Sequence, residues 1–199
     1  PCILPQEVFE QASKSIENFN DLNLSLIEIS HRSKDFVKVM DEARSLVKEV
    51  LDVPENYDVL FLQGGASLGF LKAAYNMMRT NKCGGYLVTG AWAKKAAKEA
   101  NFMGNAKIVA SSEDQNFNYI PKNYEVTIDL DYFHVTSNNT IFGTQIKDFY
   151  SGDVPLVCDM SSDIFSRKIN VSDFDLIYAG AQKNMGPAGT TVYLSLIHI

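Results

Sequence analysis

Short apolar runs that end on glycine or a small polar residue alternate along this chain with stretches of helical periodicity. No other feature restricts the fold as much. Val59-Leu60-Phe61-Leu62 runs into Gly64-Gly65-Ala66-Ser67, and a helical pattern follows through Leu71, Ala74, Tyr75 and Met78. Residues 84–89 predict the next strand, and Gly90-Ala91-Trp92 then opens an alanine-rich helix ending near Phe102. Further strands are expected at 107–110, 126–130, 132–136 and 155–159. Such alternation implies βαβ units: an α/β fold with a mostly parallel sheet and helices on both faces. In sheets of this kind ligands gather at the carboxyl ends of the strands.

Ahead of the first strand, Val8, Ala12, Ile16 and Phe19 give residues 6–19 helical spacing, and 24–29 alternate weakly between apolar and polar. Ser33 is placed to cap a long helix with a stripe through Phe36, Val37, Met40, Ala43, Leu46, Val47, Val50 and Leu51, broken by Pro54 and Asn56. No repeat or linker divides the chain. Its 199 residues, 46% hydrophobic and 21% charged, suffice for one core.

The net charge of -6 argues against nucleic acid as the main partner, because neutralising phosphates needs a basic face. No apolar run approaches the roughly 20 residues that span a bilayer, and no signal peptide is visible at the N-terminus. Cys2, Cys83 and Cys158 lack CxxC spacing, so reduced thiols in the cytoplasm fit best. His31, His134 and His198 lack metal-ligand spacing, and no metal is expected.

Four strand-end features carry chemistry. Gly64-Gly65-Ala66-Ser67 offers free N–H groups at a helix start with a hydroxyl beside them, which is how proteins cradle phosphate. It is not a P-loop, since no Gly-Lys-Ser/Thr follows; the plain alternative is a tight turn. Trp92, the only tryptophan, follows a strand and presents an aromatic face for a flat ligand, or is a core residue. Asp159 ends an apolar strand, where a carboxylate needs a cation or donors; the Ser161-Ser162 amides compete for that role. Lys183 follows 24 residues later in Ala179-Gly180-Ala181-Gln182-Lys183-Asn184-Met185-Gly186. In isolation that run reads as a surface turn, yet desolvation lowers a lysine's pKa and frees its amine for Schiff-base formation. Phosphate cradle, aromatic stacker, strand-end aspartate and lysine together meet the needs of pyridoxal 5'-phosphate (PLP). His31-Arg32 adds a cationic pair able to grip a phosphate or carboxylate, or to form a surface salt bridge.

These stretches, together with Ser30-His31-Arg32-Ser33, Ser137-Asn138-Asn139-Thr140 and Asp159-Met160-Ser161-Ser162, resemble the phosphoserine aminotransferases, which are class-V aminotransferases of PLP fold type I. Related cysteine desulfurases carry histidine where this chain has Gln182. The resemblance implies that Lys183 bonds the cofactor and moves the substrate's Cα proton, and that Asp159 pairs with the pyridine nitrogen. It also implies that Trp92 stacks on the ring, that Ala66, Ser67 and Gln182 contact the cofactor phosphate, and that Thr140 lies near the ring hydroxyl. His31 and Arg32 would hold the substrate phosphate across a homodimer interface. The implied reaction moves an amino group from glutamate to 3-phosphohydroxypyruvate, giving O-phosphoserine and 2-oxoglutarate, in serine biosynthesis and also in vitamin B6 synthesis.

By the same resemblance, residues 1–194 are a partial large domain, 195–199 an atypical tail, and a small C-terminal domain is missing. The competing readings are a non-catalytic α/β fragment and another class-V aminotransferase.

Overall fold

A computed structural model describes residues 3–196; Cys2, His198 and the last three residues of the expected tail lie outside it. In chain order the elements are α1 (Gln6–Glu17), α2 (Lys34–Leu51), β1 (Tyr57–Leu62), α3 (Gly65–Met77), β2 (Cys83–Val88), α4 (Ala91–Ala100) and β3 (Asn105–Ser111). There follow β4 (Tyr132–Thr136), the two-residue pair β5 (Asn138–Asn139) and β6 (Thr144–Gln145), β7 (Leu156–Asp159), β8 (Leu176–Gly180) and β9 (Thr191–Leu196).

Seven strands form one sheet in the order β1-β9-β8-β7-β4-β2-β3. The run from β8 to β3 is parallel, whereas β9 is antiparallel to both β8 and β1. The sheet is thus mixed and mostly parallel, an α/β architecture. Ser195 and Leu196 continue β9 in register with Asp58 and Tyr57.

Both sheet faces are buried, and β7 shows how. Leu156 and Cys158 point into a core with Leu87, Phe133, Ile177 and Val192, while Val157 joins Phe70, Tyr86, Tyr132 and Tyr178 on the other side. Continuous apolar strands of this kind are what a parallel sheet covered on two faces requires. Helices α3 and α4 cover the second face. Ala93, Ala96, Ala97 and Ala100 form the inward stripe of α4, and their small size lets it settle close. Val47 and Leu51, at the end of α2, join irregular segments over the first face. Ser33 caps α2 by accepting from Phe36 N at 3.3 Å, as its sequence position predicts.

Three expectations change. The helix expected over 6–19 stops at Glu17 and a short 3-10 turn follows at Phe19–Asp21. Residues 24–29 form a turn: Ser25 N donates to Glu28 Oε2 (2.8 Å) and Ile27 N to Ser25 Oγ (3.3 Å). Local side-chain bonds of this sort displace strand pairing. Residues 126–130 are not a strand either. Asp131 accepts from the backbone N–H groups of Thr80 (3.2 Å), Asn81 (2.8 Å) and Cys83 (3.2 Å). That fixes the chain against the start of β2, and only from Tyr132 does it enter the sheet.

Gly69 on α3 lies against the Tyr178 ring, and a Cβ there would meet ring carbons at 2.7 and 2.8 Å. Tyr178 is fully buried and its hydroxyl is bonded to His134 Nε2 at 2.7 Å, so the ring cannot retreat. Gly69→Ala should therefore cost about 1–3 kcal/mol, read as a lowered urea midpoint. An unchanged midpoint would show that α3 is free to shift. Among the described residues no helix is long and apolar enough to cross a membrane.

Candidate active site

The strand ends of β7 and β8 and the start of α3 converge on a cavity of about 190 Å³. Gly64, Gly65, Ala66 and Ser67 line one wall, Asp159, Ser161, Gln182 and Lys183 another, and Trp92 forms its side. Larger hollows exist, one of about 670 Å³ among Tyr119, Lys122, Tyr124, Lys147 and Tyr150. None of the larger ones brings a buried acid together with a lysine, so the smaller cavity is where the chemistry lies.

The α3 wall follows from its glycines. Gly64 caps the helix at φ +113° without a side-chain bond, and Gly65 follows at φ +60°. Both angles lie in the left-handed region that glycine adopts without strain. With no capping side chain, the backbone N–H groups of Gly65, Ala66 and Ser67 have no partner among the described residues. Ser67 Oγ accepts a hydrogen bond from Lys95 Nζ at 3.0 Å. Free N–H groups and the positive end of the helix dipole favour an anion here.

Asp159 is 4% exposed. Its Oδ1 accepts from Ser161 N (2.9 Å) and Ser161 Oγ (2.6 Å), while Oδ2 has no partner among the described residues. The amide competitor for Asp159 is thus present, but it occupies one oxygen only. Burial pushes the carboxyl above its ordinary 3.8; the Ser161 bonds and the Lys183 charge oppose that shift. Behind it, Ser137 Oγ donates to the Asp159 carbonyl at 3.1 Å and bonds Asp163, which also accepts from Gln145 Nε2 at 3.0 Å. Arg167 lies 3.7 Å from Asp163 and balances its charge.

Lys183 sits in a closed loop after β8. Ala181 N donates to Thr190 O (3.0 Å), Met185 N to Ala181 O (3.1 Å) and Asn184 Nδ2 to Ile164 O (2.7 Å). Lys183 Nζ lies 5.4 Å from the centroid of the Trp92 ring, within cation–π range. Trp92, 36% exposed, keeps a face open to the cavity.

Six of the residues singled out from the sequence, Ala66, Ser67, Trp92, Asp159, Gln182 and Lys183, therefore line one cavity. Thr140 does not; it lies on an exposed turn, and its neighbour Asn139 is the buried residue, donating to Thr89 Oγ1 at 3.0 Å. His31 and Arg32 lie on an exposed turn before α2, apart from the cavity wall. Ser161 and Lys95 were missed as site residues. Ser161 is signalled by its place two residues after Asp159, and Lys95 by its place one helical turn after Trp92.

A cavity at the strand ends, with a lysine and a buried acid facing a helix N-terminus, is the arrangement of the PLP-dependent aminotransferases. The class-V aminotransferase family matches residues 1–195, and the chain belongs to that family. It is 65% identical over 193 residues to the phosphoserine aminotransferase of Flavobacterium johnsoniae, an alignment covering 96% of this chain and 54% of the relative. The phosphoserine aminotransferase structure from Bacillus circulans subsp. alkalophilus superposes with a TM-score of 0.94 at 42% identity, covering 98% of this chain and 55% of that one. The enzyme from Trichomonas vaginalis, solved with PLP bound, gives 0.90 at 33% identity, covering 98% and 56%. This chain thus spans about half the length of the relatives it matches.

The residues fit that cofactor. Three unpartnered N–H groups suit its phosphate, the unpaired Asp159 Oδ2 suits a protonated ring nitrogen, and an amine and an open aromatic face complete the set.

Proposed function

We propose that this chain is the cofactor-binding part of a cytoplasmic, homodimeric phosphoserine aminotransferase that moves an amino group from glutamate to 3-phosphohydroxypyruvate. The observation that carries the reading is the convergence of Lys183 and Asp159 on one cavity that opens against the unbonded start of α3. Residues 1–194 would form the large domain. PLP, when bound, supplies the electron sink that lets an amino acid's Cα give up its proton.

The chain's own groups do the rest. Lys183 Nζ would hold the cofactor at its aldehyde and would carry the proton to and from the substrate's Cα. Asp159 Oδ2 would accept from the protonated ring nitrogen, and the two Ser161 bonds to Oδ1 hold the carboxylate in place. Trp92 would cover one ring face and exclude water from it. The α3 amides, Ser67 and Gln182 would fix the phosphate end. His31 and Arg32, exposed here, would reach the partner subunit's site and hold the substrate phosphate. The same grip suits the phosphorylated substrate of vitamin B6 synthesis.

The test is turnover by the protein extended to the length of its relatives. With PLP and glutamate it should release 2-oxoglutarate far faster on 3-phosphohydroxypyruvate than on hydroxypyruvate. Equal rates would favour another class-V aminotransferase. No turnover by the PLP-loaded protein on either acceptor would end the reading.

A further inference from the structure

The cavity wall holds one cation, Lys183, and one anion, Asp159. Their formal charges cancel. A phosphate monoester brings about -1.5 to -2 at neutral pH, and the start of α3 offsets about half a charge of that. Lys183 is no remedy, because its amine is committed to the cofactor's aldehyde at the other end of the molecule. As built from cavity residues alone, the phosphate end is short of positive charge.

Lys95 stands where that charge is needed. It lies on α4, one turn after Trp92, and its Nζ donates to Ser67 Oγ at 3.0 Å. Ser67 is itself a first-turn residue of α3 and part of the cavity wall. The other lysines nearby are engaged elsewhere. Lys94 is bonded to Glu113. Lys72 donates to the Gln63 carbonyl at 3.0 Å and lies over the Tyr193 ring, 5.1 Å from its centroid. Lys95 forms no ion pair with a carboxylate among the described residues, so its charge is not spent.

We infer that Lys95 is a cofactor-binding residue: its ammonium is the intrachain counter-charge of the cofactor phosphate, acting directly and through the Ser67 hydroxyl. The inference rests on the aminotransferase reading and adds to it the residue that makes the site select a phosphorylated pyridoxal. With Lys95 bonded, the Ser67 hydroxyl proton is free to point at the phosphate. Trp92 and Lys95 then act from one face of α4, the first on the ring and the second on the phosphate.

The experiment compares PLP with pyridoxal, which has the ring and aldehyde but no phosphate, binding to the protein extended to its relatives' length. Affinities are read from the quenching of Trp92 fluorescence. Lys95→Met should weaken PLP about 10-fold, the size of one charge-assisted bond at a partly exposed site, and leave pyridoxal within about 2-fold. Lys95→Arg should stay near wild type for both ligands. Raising the salt should weaken PLP binding more in wild type than in Lys95→Met, because screening acts on the charge the variant lacks. Pyridoxal binding also reports folding, so a misfolded variant cannot imitate the expected result. Equal losses for PLP and pyridoxal, or no loss for either, would overturn the role of Lys95. Failure of the wild type to bind PLP at all would overturn the functional reading as well, and is distinguished by being seen before any variant is made.

Discussion

Lys183→Ala, in the protein extended to its relatives' length, should reduce transamination by about 10³-fold or more. It should also abolish the visible absorbance band and the borohydride-stable attachment of PLP. The magnitude follows from two losses at one atom. On the proposed reading, the amine that would anchor the cofactor is gone, and so is the base that would move the Cα proton. No neighbour can replace it, since the cavity wall contains no other lysine and no histidine. Asp159 is held in place by its bonds to Ser161 and, on the proposed reading, would pair with the ring nitrogen instead. Stability should barely change, because Lys183 lies in a loop held by Ala181, Asn184 and Thr190 rather than by its own side chain. A variant that kept the band and the turnover would show that the covalent anchor lies elsewhere.

Acidification should destabilise the fold through His134, with a midpoint loss that sets in near pH 6.5 and grows toward pH 3. His134 is 1% exposed on β4, with Nε2 bonded to the Tyr178 hydroxyl at 2.7 Å and Nδ1 without a partner among the described residues. Tyr86 stacks on it at 5.1 Å and 28°, and the Tyr86 hydroxyl is itself bonded to that of Tyr132. Burial pushes the imidazole from 6.5 down to about 3. The unfolded chain takes up this proton below its ordinary pKa while the folded one refuses it. Stability is therefore complete above about pH 6.5 and falls as the pH drops through the window down to 3, by up to about 5 kcal/mol. Asp159 works in the opposite sense, since its raised carboxyl takes a proton earlier in the folded state, and it offsets part of the loss. His134→Gln removes the titration and keeps a polar group facing Tyr178. Its urea midpoint should drop less between pH 7 and 4.5 than that of the wild type. Parallel slopes for the two proteins would sink the assignment.

The sequence reading succeeded where one physical rule governs a segment. The apolar runs of β1 and β2 are followed two residues later by Gly64 and Gly90, β7 ends on Asp159, and α2 is capped by Ser33. These features follow from local sterics and capping, and they are visible residue by residue. Lys183 and Asp159 stood out because both follow apolar strands in a parallel sheet, whose topology brings neighbouring strand ends together.

What escaped depends on tertiary partners. Nothing within Thr191-Val192-Tyr193-Leu194 reveals that β9 runs antiparallel; the short return from β8 through the Lys183 loop decides it. Residues 126–130 look like a strand until Asp131 is seen holding three amides of a distant turn. Thr140 and Asn139 are adjacent, and which of them faces inward is set by the β5–β6 pair and by Asn139 reaching Thr89. Lys95 gave only a helical spacing from Trp92, because its partner Ser67 belongs to another helix.

The antiparallel β9 has a consequence for how this protein is made. β1 emerges early from the ribosome, yet among the described residues it pairs only with β9, more than a hundred residues later. β8 likewise receives its second neighbour only when β9 arrives. Until then one rim of the nascent sheet stands open, and the earliest strand has nothing to pair with. Pairing of β1 thus waits for β9, which follows directly on the Lys183 loop. A growing chain cannot pair β1 before the whole Lys183 loop has been synthesised.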